Sequence, residues 1–179
     1  MMKPTMLLCA LILSLSRADT VQVAGHRYPE EMEHQSLNWT LSGAEHFRYR
    51  LFSVFTGALY SSPEAEEARV LRFTYTRRIP AATLVEQGMR VLRSAHPEAE
   101  LEARAKLLQE VNNAYRDVRE GDRYTFTVLP GRGTWLHFNE EQLFFVADSD
   151  FGLWYLDIWL GDKPMSVPLR DALLKGLSI

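Results

Sequence analysis

Residues 43–60, GAEHFRYRLFSVFTGALY, most constrain what this chain can fold into, because they form its longest segment with strand chemistry and no turn signal. Strict alternation places Phe47, Tyr49, Leu51, Phe55 and Leu59 on one face and Arg48, Arg50, Phe52, Val54, Thr56 and Tyr60 on the other. From Phe52 onward both faces are apolar, so both sides of the strand must be covered. Fourteen extended residues from Phe47 would span roughly 46 Å, which is long for a strand and predicts a bend or bulge near Ser53 or Gly57.

Alternation elsewhere marks further strands at 21–25, 37–41 and 70–76. The acidic segment 30–34 reads as a solvated loop, and Ser42-Gly43 as a turn into the central strand. Pro80 opens an amphipathic helix through Leu84, Val85, Met89 and Leu92, and Pro97 opens a second one with a stripe from Leu101 to Tyr115, ended by Gly121. A meander follows over 124–129, 135–138 and 143–146. Ser149 is placed to cap a helix with an aromatic stripe of Phe151, Trp154, Tyr155 and Trp159, and Ser166 a last helix through Leu174. Paired helices within a chain of alternating strands predict an α+β fold, with the helices together on one face of an antiparallel sheet.

Residues 1–18 carry the marks of a signal peptide: Lys3, an apolar run over 6–15 and the small-x-small site Ser16-Arg17-Ala18. The run of about ten residues is too short to span a bilayer, for which about 20 are needed, so no transmembrane segment is expected. Residues 19–179 then form a single domain, periplasmic or secreted. The only cysteine, Cys9, leaves with the leader, which excludes thiol catalysis and disulfides. Loss of Lys3 and Arg17 leaves 18 of 20 basic residues against 23 acidic ones, a net charge of −5, which argues against a nucleic-acid partner.

Chemistry-bearing motifs are sparse. The five histidines show no metal-ligand spacing, so neither a metal nor a cofactor is expected. Gly131-Arg132-Gly133 reads as a hairpin turn, since no lysine-serine ending or helix follows it. No serine has a nucleophile-elbow context. The arginines beside strands, Arg48, Arg50, Arg72, Arg77 and Arg78, are the candidates for holding a carboxylate or phenolate at an apolar cleft. Arg77 has the best position, where a long strand passes into the first helix.

A series of motifs in order, Val23-Ala24-Gly25, Tyr28-Pro29, Leu41-Ser42-Gly43-Ala44, residues 54–60, Tyr75-Thr76-Arg77, Gly121-Asp122, Pro130-Gly131 and Ile158-Trp159-Leu160-Gly161, resembles the bacterial chalcone isomerase-like proteins. The resemblance implies an open-faced β-sandwich, a large antiparallel sheet packed against a layer of helices with a cleft between them. Plant relatives with enzyme activity close a flavanone ring with an arginine, a threonine and tyrosines, whereas other relatives bind fatty acids without catalysis. Here the family arginine aligns with Phe47 and the enzymes' threonine with Val54, so the catalytic pattern is broken twice and no catalytic residue is carried over. The expectation is an exported, non-catalytic protein that binds a small apolar ligand with an acidic head, such as a fatty acid, through Arg77, Arg48, Thr56, Tyr60 and Tyr75. Two alternatives are an isomerase or lyase-type enzyme with a rearranged site, and a cell-envelope interaction protein without ligand.

The leader gives a direct prediction. N-terminal analysis of the exported protein should read Asp19 first, whereas a cytoplasmic chain retaining Met1 would overturn the compartment.

Overall fold

The computed structural model describes residues 19–177, so the expected leader at 1–18 lies outside the described residues. The stretch read as one central strand is a hairpin. Strand β4 (Leu37–Tyr49) turns over Arg50-Leu51 into β5 (Phe52–Ser62), with Tyr49 paired to Phe52. Arg50 takes φ 55° there, and Leu51 is 95% exposed. Two-residue hairpin turns normally advertise themselves with Asn or Gly, and neither is present, which is why the alternation ran straight through. The expected irregularity does exist: Phe47 pairs with Phe55 but Arg48 with Ser53, leaving Val54 as the extra residue of a bulge.

Two hairpins precede this one. Strands β1 (Thr20–Val23) and β2 (His26–Pro29) form a small separate sheet through Ala24-Gly25. The acidic segment expected as a loop is instead an edge strand, β3 (Glu31–His34), which pairs with β4 across Gln35-Ser36. Both connections have positive φ at both positions, the conformation whose twist matches antiparallel strands. Strand β4 then continues through Ser42-Gly43 without turning. A Cβ on Gly43 would overlap the backbone oxygen of Ala172, so this glycine serves a close helix approach and not a turn.

The remaining strands follow the alternation. They are β6 (Ala65–Tyr75), β7 (Arg123–Leu129), β8 (Gly133–Phe138) and β9 (Glu141–Val146), and β3 to β9 form one antiparallel seven-stranded sheet in sequence order. Between β6 and β7 lie α1 (Ala81–Ala95), α2 (Glu98–Ala103) and α3 (Ala105–Ala114). The second predicted helix is therefore two, parted at Arg104, whose guanidinium sits 4.8 Å above the Trp154 ring. After β9 come α4 (Ser149–Tyr155), α5 (Asp157–Leu160) and α6 (Val167–Leu174). Asp148, one residue before the expected Ser149, caps α4 by accepting from Phe151 N at 2.8 Å, whereas Ser166 caps α6 as expected.

The helices cover one face of the sheet, burying Phe55, Leu59, Leu71 and Phe73 against Leu92, Val111, Ile158 and Leu173. The other face is concave, because the sheet curls until its first edge returns over β7 and β8. His34 Nε2 meets Thr127 Oγ1 at 3.1 Å, and Arg132 donates to the Gln35 carbonyl at 3.3 Å. Inside the curl, Trp39, Ala58, Tyr60, Val70, Leu129 and Trp135 form a second core. The β1–β2 hairpin closes it, with Tyr28 Oη 2.7 Å from Thr56 Oγ1. No helix among the described residues is long and apolar enough to cross a membrane.

Closure of the curl has a pH signature. Burial first, then the charge of Arg72 and the neighbouring His137, lowers the His34 pKa from 6.5 to about 4. The unfolded chain therefore binds more protons between those values, so stability falls as pH is lowered from 6.5 to 4. Urea unfolding in chloride buffers should show this slope, and His34→Gln should flatten it; an unchanged slope would remove His34 from the acid response.

Candidate functional site

Between the helix-side face of the sheet and α1 lies a narrow cavity of about 60 Å³. Strands β5, β6 and β7 form its floor with Phe55, Tyr75 and Tyr124, while Gly88 of α1 and Trp159 of α5 lie on its helical side. Gly88 widens the cavity because α1 presents no side chain there. Of the two tryptophans on the aromatic stripe, Trp159 lines the cavity and Trp154 packs on His96 and Arg104.

Four phenols supply most of the polarity. Tyr155 Oη donates to Tyr115 Oη at 3.3 Å, and Tyr124 Oη accepts from Arg116 N at 2.7 Å. Tyr75 Oη has no hydrogen-bond partner among the described residues, although its ring is buried. Burial pushes Tyr75, Tyr115 and Tyr124 above the usual tyrosine range and Tyr155 up to about 12. All four are neutral donors at physiological pH. Gln87 adds an amide, and none of the lining side chains is a cation. A cavity of this kind favours uncharged surface and penalises a buried phenolate or carboxylate.

The five residues expected to bind ligand fall in different places. Tyr75 lines the cavity. Thr56 and Tyr60, both fully buried, point into the curl on the opposite face, where Thr56 bonds Tyr28 and the Tyr60 ring lies 5.6 Å beneath the guanidinium of Arg72. Burial raises the Tyr60 hydroxyl to about 12. Arg77 is exposed, with its guanidinium 5.2 Å above the Phe52 ring. Arg48 is exposed too and donates to His46 Nδ1 at 3.2 Å. The extra residue of the bulge lies on β5, so β4 keeps its alternation: Arg48 stays on the side of His46, and Phe47 stacks on Phe55 at 4.9 Å.

Arg48 also settles a serine-histidine pair that the sequence did not suggest. His46 Nε2 lies 2.7 Å from Ser53 Oγ, which is the spacing of a nucleophile and its base. Because Arg48 donates to Nδ1, the ring proton stays on Nε2, and His46 donates to Ser53 instead of accepting its proton. The pair is a structural relay ending on Thr76, 2.6 Å from Ser53 Oγ. Sequence reasoning also missed Tyr115, Tyr124 and Tyr155 as cavity groups. Tyr115 and Tyr155 sat on apolar helical stripes and Tyr124 on an alternating strand, patterns that announce burial but not a cavity.

A seven-stranded curled antiparallel sheet with helices on its convex side is the chalcone isomerase-type architecture. The family model described as chalcone isomerase-like matches residues 20–175, and the chain belongs to that family. Among solved structures, a fatty-acid binding protein of Arabidopsis thaliana superimposes with a TM-score of 0.70 over 88% of this chain and 96% of its own, at 12% identity. A search of the curated proteins finds no match.

Gly88 provides the test of the cavity. A Cβ there would meet Ile158 Cδ1 at 3.4 Å, an ordinary contact. Gly88→Ala should therefore stabilise the protein by about 0.5–1 kcal/mol through helix propensity, measured by denaturant unfolding. A net loss would show that α1 packs more tightly than the geometry indicates.

Proposed function

We propose that this protein is an exported, non-catalytic binding protein that takes a small apolar ligand, such as a fatty acid, into the cavity between sheet and helices. The observation that carries this reading is the cavity lining: aromatic and aliphatic surface, neutral phenols and no cation. Ring closure of a chalcone needs a phenolate nucleophile, and donors preorganised at the oxygens where charge develops supply much of such a rate. Here Phe47 stands where the family arginine belongs, and burial resists ionisation of every phenol in the cavity. The Arabidopsis neighbour supports the binding reading as a fold that accommodates fatty acids.

The cavity as it stands is well below the roughly 300–1,000 Å³ of ordinary small-molecule sites, so ligand entry displaces side chains on the helical side. Tyr75, with its free hydroxyl, is the donor for a polar group that enters. An acidic head stays at the rim, since no counter-charge awaits it inside, and Arg77, two residues beyond Tyr75, is the cation assigned to it.

Native mass spectrometry and fatty-acid titration of the mature protein test the whole reading. A bound fatty acid should disappear in Gly88→Leu, which fills the cavity. Tyr75→Phe should weaken binding by about threefold to tenfold, the range of one neutral hydrogen bond. Arg77→Ala should weaken the acid and leave its methyl ester unaffected. A hydroxychalcone should decay no faster with protein than in buffer; a clear rate would replace the binding reading with an isomerase.

A further inference from the structure

We propose that the concave face of the sheet carries a second site, built around Arg72, that binds the carboxylate of a small organic acid. It lies on the far side of the sheet from the phenol-lined cavity and does not depend on what that cavity holds.

Strand register creates the site. Arg72 on β6 pairs with Thr125 on β7, which pairs with His137 on β8, so the three side chains stand in one row across the sheet. The curl brings His34 of β3 over this row, with its ring 6.3 Å from that of His137. Together with Arg123 and Glu140 these residues line a cavity of about 250 Å³.

Arg72 is the group that needs explaining. Its Nε is buried without a partner, and no carboxylate among the described residues forms an ion pair with it. Tyr60 lies beneath it, with its ring 5.6 Å from the guanidinium and its hydroxyl held neutral by burial, so it brings no negative charge. A guanidinium whose Nε is withdrawn from water is normally paired, because desolvating a charge without a partner is costly. A neighbouring group in the same cavity is also unsatisfied: His137 Nδ1 is buried and without a partner among the described residues. Two unmet polar groups in one cavity, Arg72 Nε and His137 Nδ1, describe a place for a small polar occupant.

Charge selects its class. Arg123 and Glu140 pair at 3.0 Å on the rim and offset one another. Burial holds both His34 and His137 below their ordinary pKa, so near neutral pH they act as uncharged hydrogen-bonding groups. One uncompensated positive charge remains, on Arg72, and its planar fork matches a single carboxylate, which Thr125 and His137 can flank. Phosphate shares the acceptor chemistry but concentrates up to two charges on one tetrahedral group, which a single planar fork does not balance.

The experiment follows the side-chain resonances of Arg72 Nε–H, His34 and His137 by NMR in the mature protein. Sodium acetate, sodium succinate and sodium phosphate are titrated at pH 7 against sodium chloride at equal ionic strength. Saturable shifts with acetate or succinate, absent with chloride, are expected. Arg72→Lys, which keeps the charge but loses the fork, should weaken them by about tenfold or more, and Arg72→Gln should abolish them. Because Arg72 sits on an interior strand, His137→Phe serves as a second variant; it fills the pocket from β8 with Arg72 intact and should also abolish saturation. Shifts that follow chloride equally, or that persist in His137→Phe, would overturn the site. Tighter saturation by phosphate than by either carboxylate would overturn the assignment of class.

Discussion

Residues 55–60 of β5 are all buried, on both faces of the strand, and the rest of the structure follows from that constraint. A sheet whose centre is apolar on both sides needs two covers. The helices provide one, meeting Phe55 and Leu59. The second is not another layer of helices but the sheet itself, curled until β3 crosses over β7 and β8, with the β1–β2 hairpin set inside. At about 25 cal/mol per Å² of apolar surface, leaving Ala58, Tyr60 and Val70 open to water would cost several kcal/mol. That cost makes the curl an obligatory feature, more than a consequence of strand twist alone.

The two covers differ in electrostatic character, and this separates the two sites. On the helix side, Phe47 and Phe55 stack, and the polar groups of the cavity are the Gln87 amide and phenols that burial keeps neutral. On the concave side, the Nε of Arg72 is buried without a carboxylate, and His137 Nδ1 lacks a partner among the described residues. Cationic chemistry is therefore present in the protein but faces away from the cavity that apolar ligands could use. One residue of alternation decides this: Leu71 and Phe73 face the helices, and Arg72 between them faces the curl.

Much of the fold was legible in the sequence because burial imposes period. The alternation of β6, the meander of β7 to β9, the proline that opens α1 and the serine that caps α6 all appear where their patterns place them. The misreadings share a cause, since each element was fixed by a tertiary contact or a backbone conformation without its usual residue. Arg50 turns the β4–β5 hairpin at positive φ with no glycine. The acidic β3 is a strand because it pairs with β4, and charge suits an edge. Gly43 looked like a turn because the backbone of α6 that excludes a side chain there is more than a hundred residues away. The sites were less legible than the fold: Tyr75 and Arg72 lie in one alternating strand, and nothing local distinguishes a side chain facing a cavity from one facing a packed core.

The small size of the helix-side cavity bears on how it could admit a ligand. Its floor is the centre of the sheet, where Phe55, Tyr75 and Tyr124 are held by strand ladders on both sides and by edge-to-face aromatic contacts about 6 Å apart. Its helical side includes Leu84, Met165 and Trp159, partly buried residues on α1, on the segment before α6 and on the four-residue helix α5. Local opening is least costly where few strand hydrogen bonds must break. Enlargement should therefore come from the helices while the sheet keeps its register. Movement of that kind leaves the row of Arg72, Thr125 and His137 undisturbed, since those residues are positioned by the ladders alone. The two faces can then be occupied independently, with a rigid sheet as the partition between them.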